Sequence, residues 1–216
     1  MAEPRRRLSP EDRRSELLAL GAEVFGERPY DEVRIDEIAE RAGVSRALMY
    51  HYFPDKRAFF AEVVKAEGDR LFEATNTPPD PDKPLFEQLR AGVLAYLRYD
   101  EEHPYGAWAA YVGMGTSDPV LRGIGDVDND RQADRIMVRI AEALGDGMDS
   151  KVERDVRITV YGWLAFTFEL CRQRILDPSI DADQIADTCA HALLDAVGHV
   201  PGIPAGLAEA VAPDRR

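Results

Sequence analysis

Residues Ile35-Asp36-Glu37-Ile38-Ala39-Glu40-Arg41-Ala42-Gly43-Val44-Ser45-Arg46-Ala47-Leu48-Met49-Tyr50-His51-Tyr52-Phe53 form two short helical patterns joined by a four-residue turn. In the first, Ile35, Ile38, Ala39 and Ala42 share one face, the spacing of a helix with one apolar side. Gly43 permits a left-handed backbone at the turn, and Ser45 can cap the second pattern. That pattern must stop by Phe53, because Pro54 disfavours helix in the residue before it. Ala39 is small where the two helices cross. Met49 and Phe53 (i, i+4) point inward with Val44, which leaves Arg46, Ala47, Tyr50 and His51 outside. The turn is that of a helix-turn-helix, and its outer face suits a helix lying in a major groove.

Working outward, the chain reads as helix after helix, with no period-two alternation. Ser9-Pro10-Glu11-Asp12 starts a first helix carrying Leu17, Leu18, Gly21, Ala22 and Phe25, which Gly26 and Pro29 stop. Asp55 caps a fourth from Lys56 to about Thr75. Four prolines between Thr77 and Pro84 make a loop. Further helices are expected near 85–100, 104–114, 119–144, 150–176 and 182–199. The expectation is an all-α protein of about nine helices. An N-terminal three-helix helix-turn-helix domain (9–57, recognition helix 45–53) precedes a C-terminal helical domain for ligand binding and dimerisation (58–200). Residues 1–8 and 201–216 are expected to be flexible tails.

The 216 residues carry a net charge of −13, which taken alone counts against nucleic acid. The distribution changes that. Residues 1–57 hold 11 Lys+Arg against 12 Asp+Glu, and nearly all of the deficit lies beyond them. The densest apolar stretch, Trp163 to Leu170, is broken by Glu169, so no membrane span is expected. With two cysteines and no secretory signal, the cytoplasm is the expected compartment. His51, His103, His191 and His199 lack i, i+4 pairing, and neither Cys171 nor Cys189 sits in a CxxC. Without a glycine-rich phosphate loop or a nucleophile elbow, no enzyme, metal or cofactor is expected.

Residues 11–60 closely resemble the DNA-binding domain of the tetracycline-repressor (TetR) family of transcriptional regulators. The resemblance rests on Ala22-Glu23-Val24-Phe25, Ile38-Ala39-Glu40-Arg41-Ala42-Gly43-Val44-Ser45 and Met49-Tyr50-His51-Tyr52-Phe53-Pro54-Asp55-Lys56. It implies phosphate contacts from Ser45, Tyr50, Tyr52 and Lys56, and base-edge contacts from Arg46, Ala47 and His51. Lys56 also opens the fourth helix, where free N–H groups can hold a phosphate. Arg34 stands where members place a capping Ser or Thr, which trades that cap for a cationic phosphate contact. Leu48 fills a place often small or hydroxylic, and it either touches a thymine methyl or tucks into the domain.

The helix at 150–176 is apolar nearly all round and must be covered on two sides. The resemblance implies that it and the helix at 182–199 form a homodimer interface, for which Tyr161, Leu164, Ala165, Phe168, Ile185, Cys189, Ala192, Leu193 and Ala196 are the candidates. It also implies an unidentified small apolar or aromatic effector, with Tyr96, His103, Trp108, Tyr111, Met114, Trp163, Phe166, Thr167 and Leu170 as candidate lining. Glu169 anchors a cationic ligand or reaches solvent or an arginine such as Arg172 or Arg174. The expected activity is repression from a palindromic double-stranded DNA operator, released by the effector. The alternative is control by a protein partner.

Overall fold

The computed structural model describes residues 9–80, 82–105, 119–144 and 148–203. Among them the protein is all-α, with eight α-helices and one 3-10 turn. These are α1 (Pro10–Glu27), the 3-10 turn Tyr30–Glu32, α2 (Ile35–Arg41), α3 (Arg46–Tyr52) and α4 (Lys56–Ala74). Beyond the proline loop come α5 (Leu85–Glu102), α6 (Pro119–Leu144), α7 (Ser150–Leu176) and α8 (Ala182–Gly198). Most of the helix expected at 104–114 lies outside the described residues.

Local chemistry sets the boundaries. At α1, Ser9 accepts from the Asp12 N–H while Asp12 reaches back to Ser9, a reciprocal capping box behind a first-turn proline. Asp149 and Asp181 do the same capping work for α7 and α8, each accepting from two backbone N–H groups of the first turn. Gly26 does not stop α1, which runs one residue further and ends ahead of Pro29.

Cα packing divides the chain into two compact units whose border is not the expected one at residue 57. The described part of the first unit is 9–70 with 103–105 and 119–125. Its core joins Leu17, Val24, Ile38, Met49, Phe53, Phe59 and Val63, all fully buried, and takes in Leu121 as well. The first four turns of α4 therefore belong to this core, because Phe59, Phe60, Val63 and Val64 face it. The second unit, 71–102 with 126–144 and 148–203, packs α5 most closely against α8, and α8 against α7. Its buried centre includes Leu89, Val93, Ile140, Val156, Val160, Cys189 and Leu193. The buried Trp163 indole donates to the Cys189 carbonyl at 2.7 Å, so its one polar atom is satisfied.

Two glycines test the packing of the first unit. A Cβ at Gly21 would lie 2.5 Å from the Phe59 ring and 2.7 Å from Val63, whereas one at Gly123 would meet nothing within 4 Å. Gly21→Ala is expected to lower the unfolding free energy by ~1–3 kcal/mol despite alanine's better helix propensity. Gly123→Ala is expected to raise it by ~0.5–1 kcal/mol. Denaturant melts of the two variants check the contrast.

Candidate nucleic-acid interface and apolar cleft

The turn between α2 and α3 is built as the residue types require. Gly43 has φ of 64°, in the left-handed region. Its N–H donates to Glu40 O, and the Val44 N–H donates to Ala39 O. Ser45 adopts an extended backbone, and its Oγ accepts from the Leu48 N–H at 3.1 Å, opening α3. Met49 and Phe53 are fully buried. The Phe53 ring packs edge-on to Phe59 with centroids 4.7 Å apart. That leaves Arg46, Ala47, Tyr50 and His51 exposed along α3, with Leu48 and Tyr52 half-buried at its margins. Arg34 flanks the same helix pair, is exposed, and gives α2 no side-chain cap.

Two of the cations are not free as they stand. Arg46 Nε lies 3.0 Å from Asp36 Oδ1, and its guanidinium sits over the Tyr50 ring. Tyr50, and after it Asp36, favours the charged form and raises the Arg46 pKa. Lys56 is turned inward. Its Nζ donates to Tyr30 O at 2.9 Å and Val33 O at 3.0 Å, and lies 4.3 Å from the Tyr30 ring centroid. A residue expected to hold phosphate is thus a latch from the start of α4 onto the α1–α2 connection, with at most one N–H left over. Nothing in the sequence signals this, since it depends on where the 3-10 turn leaves two carbonyls.

Residues 17–63 match the family model described as bacterial regulatory proteins of the tetR family. That stretch is a tetR-family DNA-binding domain. Over 197 residues the chain is 26% identical to the HTH-type transcriptional activator FasR of Mycolicibacterium smegmatis, covering 90% of this chain and 87% of that one. Over 91 residues it is 31% identical to the HTH-type transcriptional repressor KstR2 of Mycobacterium tuberculosis, covering 42% of this chain and 46% of the relative. The crystal structure of a tetR-family transcriptional regulator from Streptomyces coelicolor shares the fold, with a TM-score of 0.74, 22% identity and coverage of 94% and 88%. What unites these relatives is DNA-binding transcriptional regulation.

In the second unit a cleft opens among α5, α6, α7 and the residues after α4, with about 580 Å³ of free space, part of it open to solvent. Its apolar wall is Leu89, Val93, Tyr96, Ile136, Trp163, Leu164 and Phe168. Of the expected effector residues, Tyr96, Trp163 and Thr167 line it. His103 belongs to the other unit and is exposed, Phe166 is 40% exposed, and Leu170 is not part of the lining. Trp108, Tyr111 and Met114 lie outside the described residues. Sequence reasoning missed the polar side of the cleft, Arg135 and Arg139. Arg135 donates to carbonyls at the end of α4, Phe72 O at 2.7 Å and Thr75 O at 3.1 Å, and Arg139 to Thr77 O in the loop beyond it. Glu169 reaches Arg172 and Gln173 on the surface, which hold its carboxyl down at about 2, and it is not part of the cleft lining.

The expected interface residues divide by burial. Leu164, Ile185, Cys189 and Leu193 are inside this chain's own core, so they offer a partner no surface. Phe168 packs on Tyr96, and Tyr161 donates to Asp130 at 2.5 Å. Ala165 and Ala196 are exposed, and Ala192 is half-exposed. The apolar surface of α7 is instead Ile158, Gly162, Ala165, Phe166 and Leu176, which share one face. Amphipathic periodicity located two apolar faces but could not say which one the chain itself covers.

Replacing Lys56 by Met keeps the length of the stem and removes the ammonium. The variant is expected to lose ~1–3 kcal/mol of stability, because the Tyr30 and Val33 carbonyls lose their donor. A denaturant melt indistinguishable from the parent would show that the lysine serves DNA alone.

Proposed function

We propose that the chain represses transcription as a homodimer that binds a palindromic operator and is released by a small molecule entering the cleft of the second unit. The observation that carries the reading is the single amphipathic design of α3, with Met49 and Phe53 fully buried and Arg46, Ala47, Tyr50 and His51 exposed. In this reading Arg46 and His51 meet base edges and Ala47 a thymine methyl. Ser45, Tyr50, Tyr52 and Arg34 meet phosphates, and Leu48 borders the groove. Arg46→Ala is expected to cost ~1–3 kcal/mol on the operator and to relax specificity at one position of each half-site. Competition binding on cognate and scrambled duplexes checks it, and an equal loss on both would move Arg46 from the bases to the backbone.

Two copies meet through the exposed face of α7. Ile158, at 62% exposure, and Phe166 flank small Gly162 and Ala165, which allow a partner helix to approach closely. Ala196 and half-exposed Ala192 on α8 extend the contact. A two-fold interface of this kind matches the two-fold symmetry of a palindrome. Ile158→Glu or Phe166→Glu is expected to give a folded monomer that has lost at least about tenfold in operator affinity, because one recognition helix holds too few contacts. Sedimentation with a parallel mobility shift checks it, and a parent that sediments as a monomer while binding its operator overturns it.

A further inference from the structure

The polar wall of the cleft carries two arginines that form no ion pair among the described residues. Arg131, Arg135 and Arg139 follow each other at i, i+4, i+8 on α6, a spacing at which like charges repel. Arg131 has Asp128 at 3.4 Å. Arg135 and Arg139 line the cleft, and among the described residues neither is ion-paired, although Glu142 acts on Arg139 from a distance. Arg139 is only 6% exposed, and everything it bonds to is a backbone carbonyl or the Thr77 hydroxyl. Arg135 Nε is buried with no hydrogen-bond partner, and so is Thr167 Oγ1, a second polar atom of the same lining. The Thr167 hydroxyl touches polar chemistry only weakly, through the Cys189 thiol whose pKa it draws down against the larger rise from burial. Burial brings Arg135 down to about 10, with Arg139 and Arg131 adding to the shift. A cation in this state gains from any anion that reaches it.

The remainder of the wall is hydrocarbon and aromatic. We infer that the effector is an amphiphile with a carboxylate head, held by Arg135, Arg139 and Thr167, and an apolar chain lying among Leu89, Val93, Trp163 and Phe168. The inference rests on the effector reading above and narrows it from apolar to anionic. The carboxylate accepts from the orphaned Arg135 Nε–H and from the Thr167 hydroxyl. Arg139 supplies charge and its remaining N–H groups, so its bonds to Thr77 and to Arg135 O need not break.

Dodecanoate, 1-dodecanol and dodecylamine, each below its aggregation concentration, are titrated calorimetrically into the full chain. Dodecanoate is expected to bind about 10- to 100-fold more tightly than the alcohol, the range of a charge-assisted hydrogen bond, and the amine not at all. Arg139→Gln is expected to erase that preference. Because Arg139 also holds the segment after α4, Thr167→Val provides the check that leaves the fold alone. It is expected to melt no lower than the parent, since an unpaired hydroxyl is removed, and yet to weaken dodecanoate about tenfold. Equal binding of alcohol and carboxylate overturns the anion and leaves an apolar effector site standing. Failure of all three to bind overturns both. A Thr167→Val variant with undiminished dodecanoate affinity removes the head group from this end of the cleft.

Discussion

Met49 and Phe53 are the two fully buried side chains that hang α3 and its end on the aromatic core of the first unit, and a helix of seven residues depends on them. Two turns of helix in water are unstable, because the cost of nucleation is not recovered over so short a run. The outward residues therefore hold position only while the inward pair is seated. That seat is a chain of rings in which Phe53 meets Phe59, Phe59 meets Phe25, and Phe25 meets Phe60. Since Phe59 and Phe60 come from α4, the helix following the motif is part of the motif's foundation. Lys56 adds a polar tie at the same corner by bonding two carbonyls ahead of α2.

This foundation explains what could be seen beforehand. Where one residue type has one physical job, the sequence was legible: Gly43 at a left-handed turn, Ser9, Ser45 and Asp55 at helix starts, Pro54 as a stop. The long helices α6 and α7 span Pro119–Leu144 and Ser150–Leu176, the ranges that the apolar pattern gives. Lys56 and Arg46 were harder, because a long flexible cation can point to solvent or fold back, and its choice depends on carbonyls and acids distant in sequence. The face of α7 was harder still. Leu164 and Ile158 are equally apolar as letters, and only the packing of α5 and α8 decides that one is covered and the other bare.

Arg135 and Arg139 were illegible for a related reason. Arginines four apart on a helix usually mark a wet surface, and nothing near them in sequence says otherwise. Their burial comes from the residues after α4 lying over them, where Arg135 meets Phe72 O and Thr75 O at the helix end and Arg139 meets Thr77 O in the loop. The Arg135 guanidinium adds donors to those helix-end carbonyls, whose partial negative charge suits it. So Arg135 finishes a helix, and with Arg139 it gives an apolar cleft its positive side.

The ion pair between Arg46 and Asp36 has a consequence for how a regulator searches a chromosome. A free arginine on the reading face would cling to any phosphate, and most of a genome would then act as a sink. With Asp36 3.0 Å away, the arginine leaves its carboxylate only for a partner that matches it at least as well. A guanine edge offers two acceptors in the plane of the guanidinium fork, whereas a stray phosphate must also tolerate the acid left behind. If Arg46 reads a base edge as proposed, Asp36 is the competitor that a loose encounter must displace. It then shortens the time spent on random sequence and leaves long residence to sites where the fork is filled.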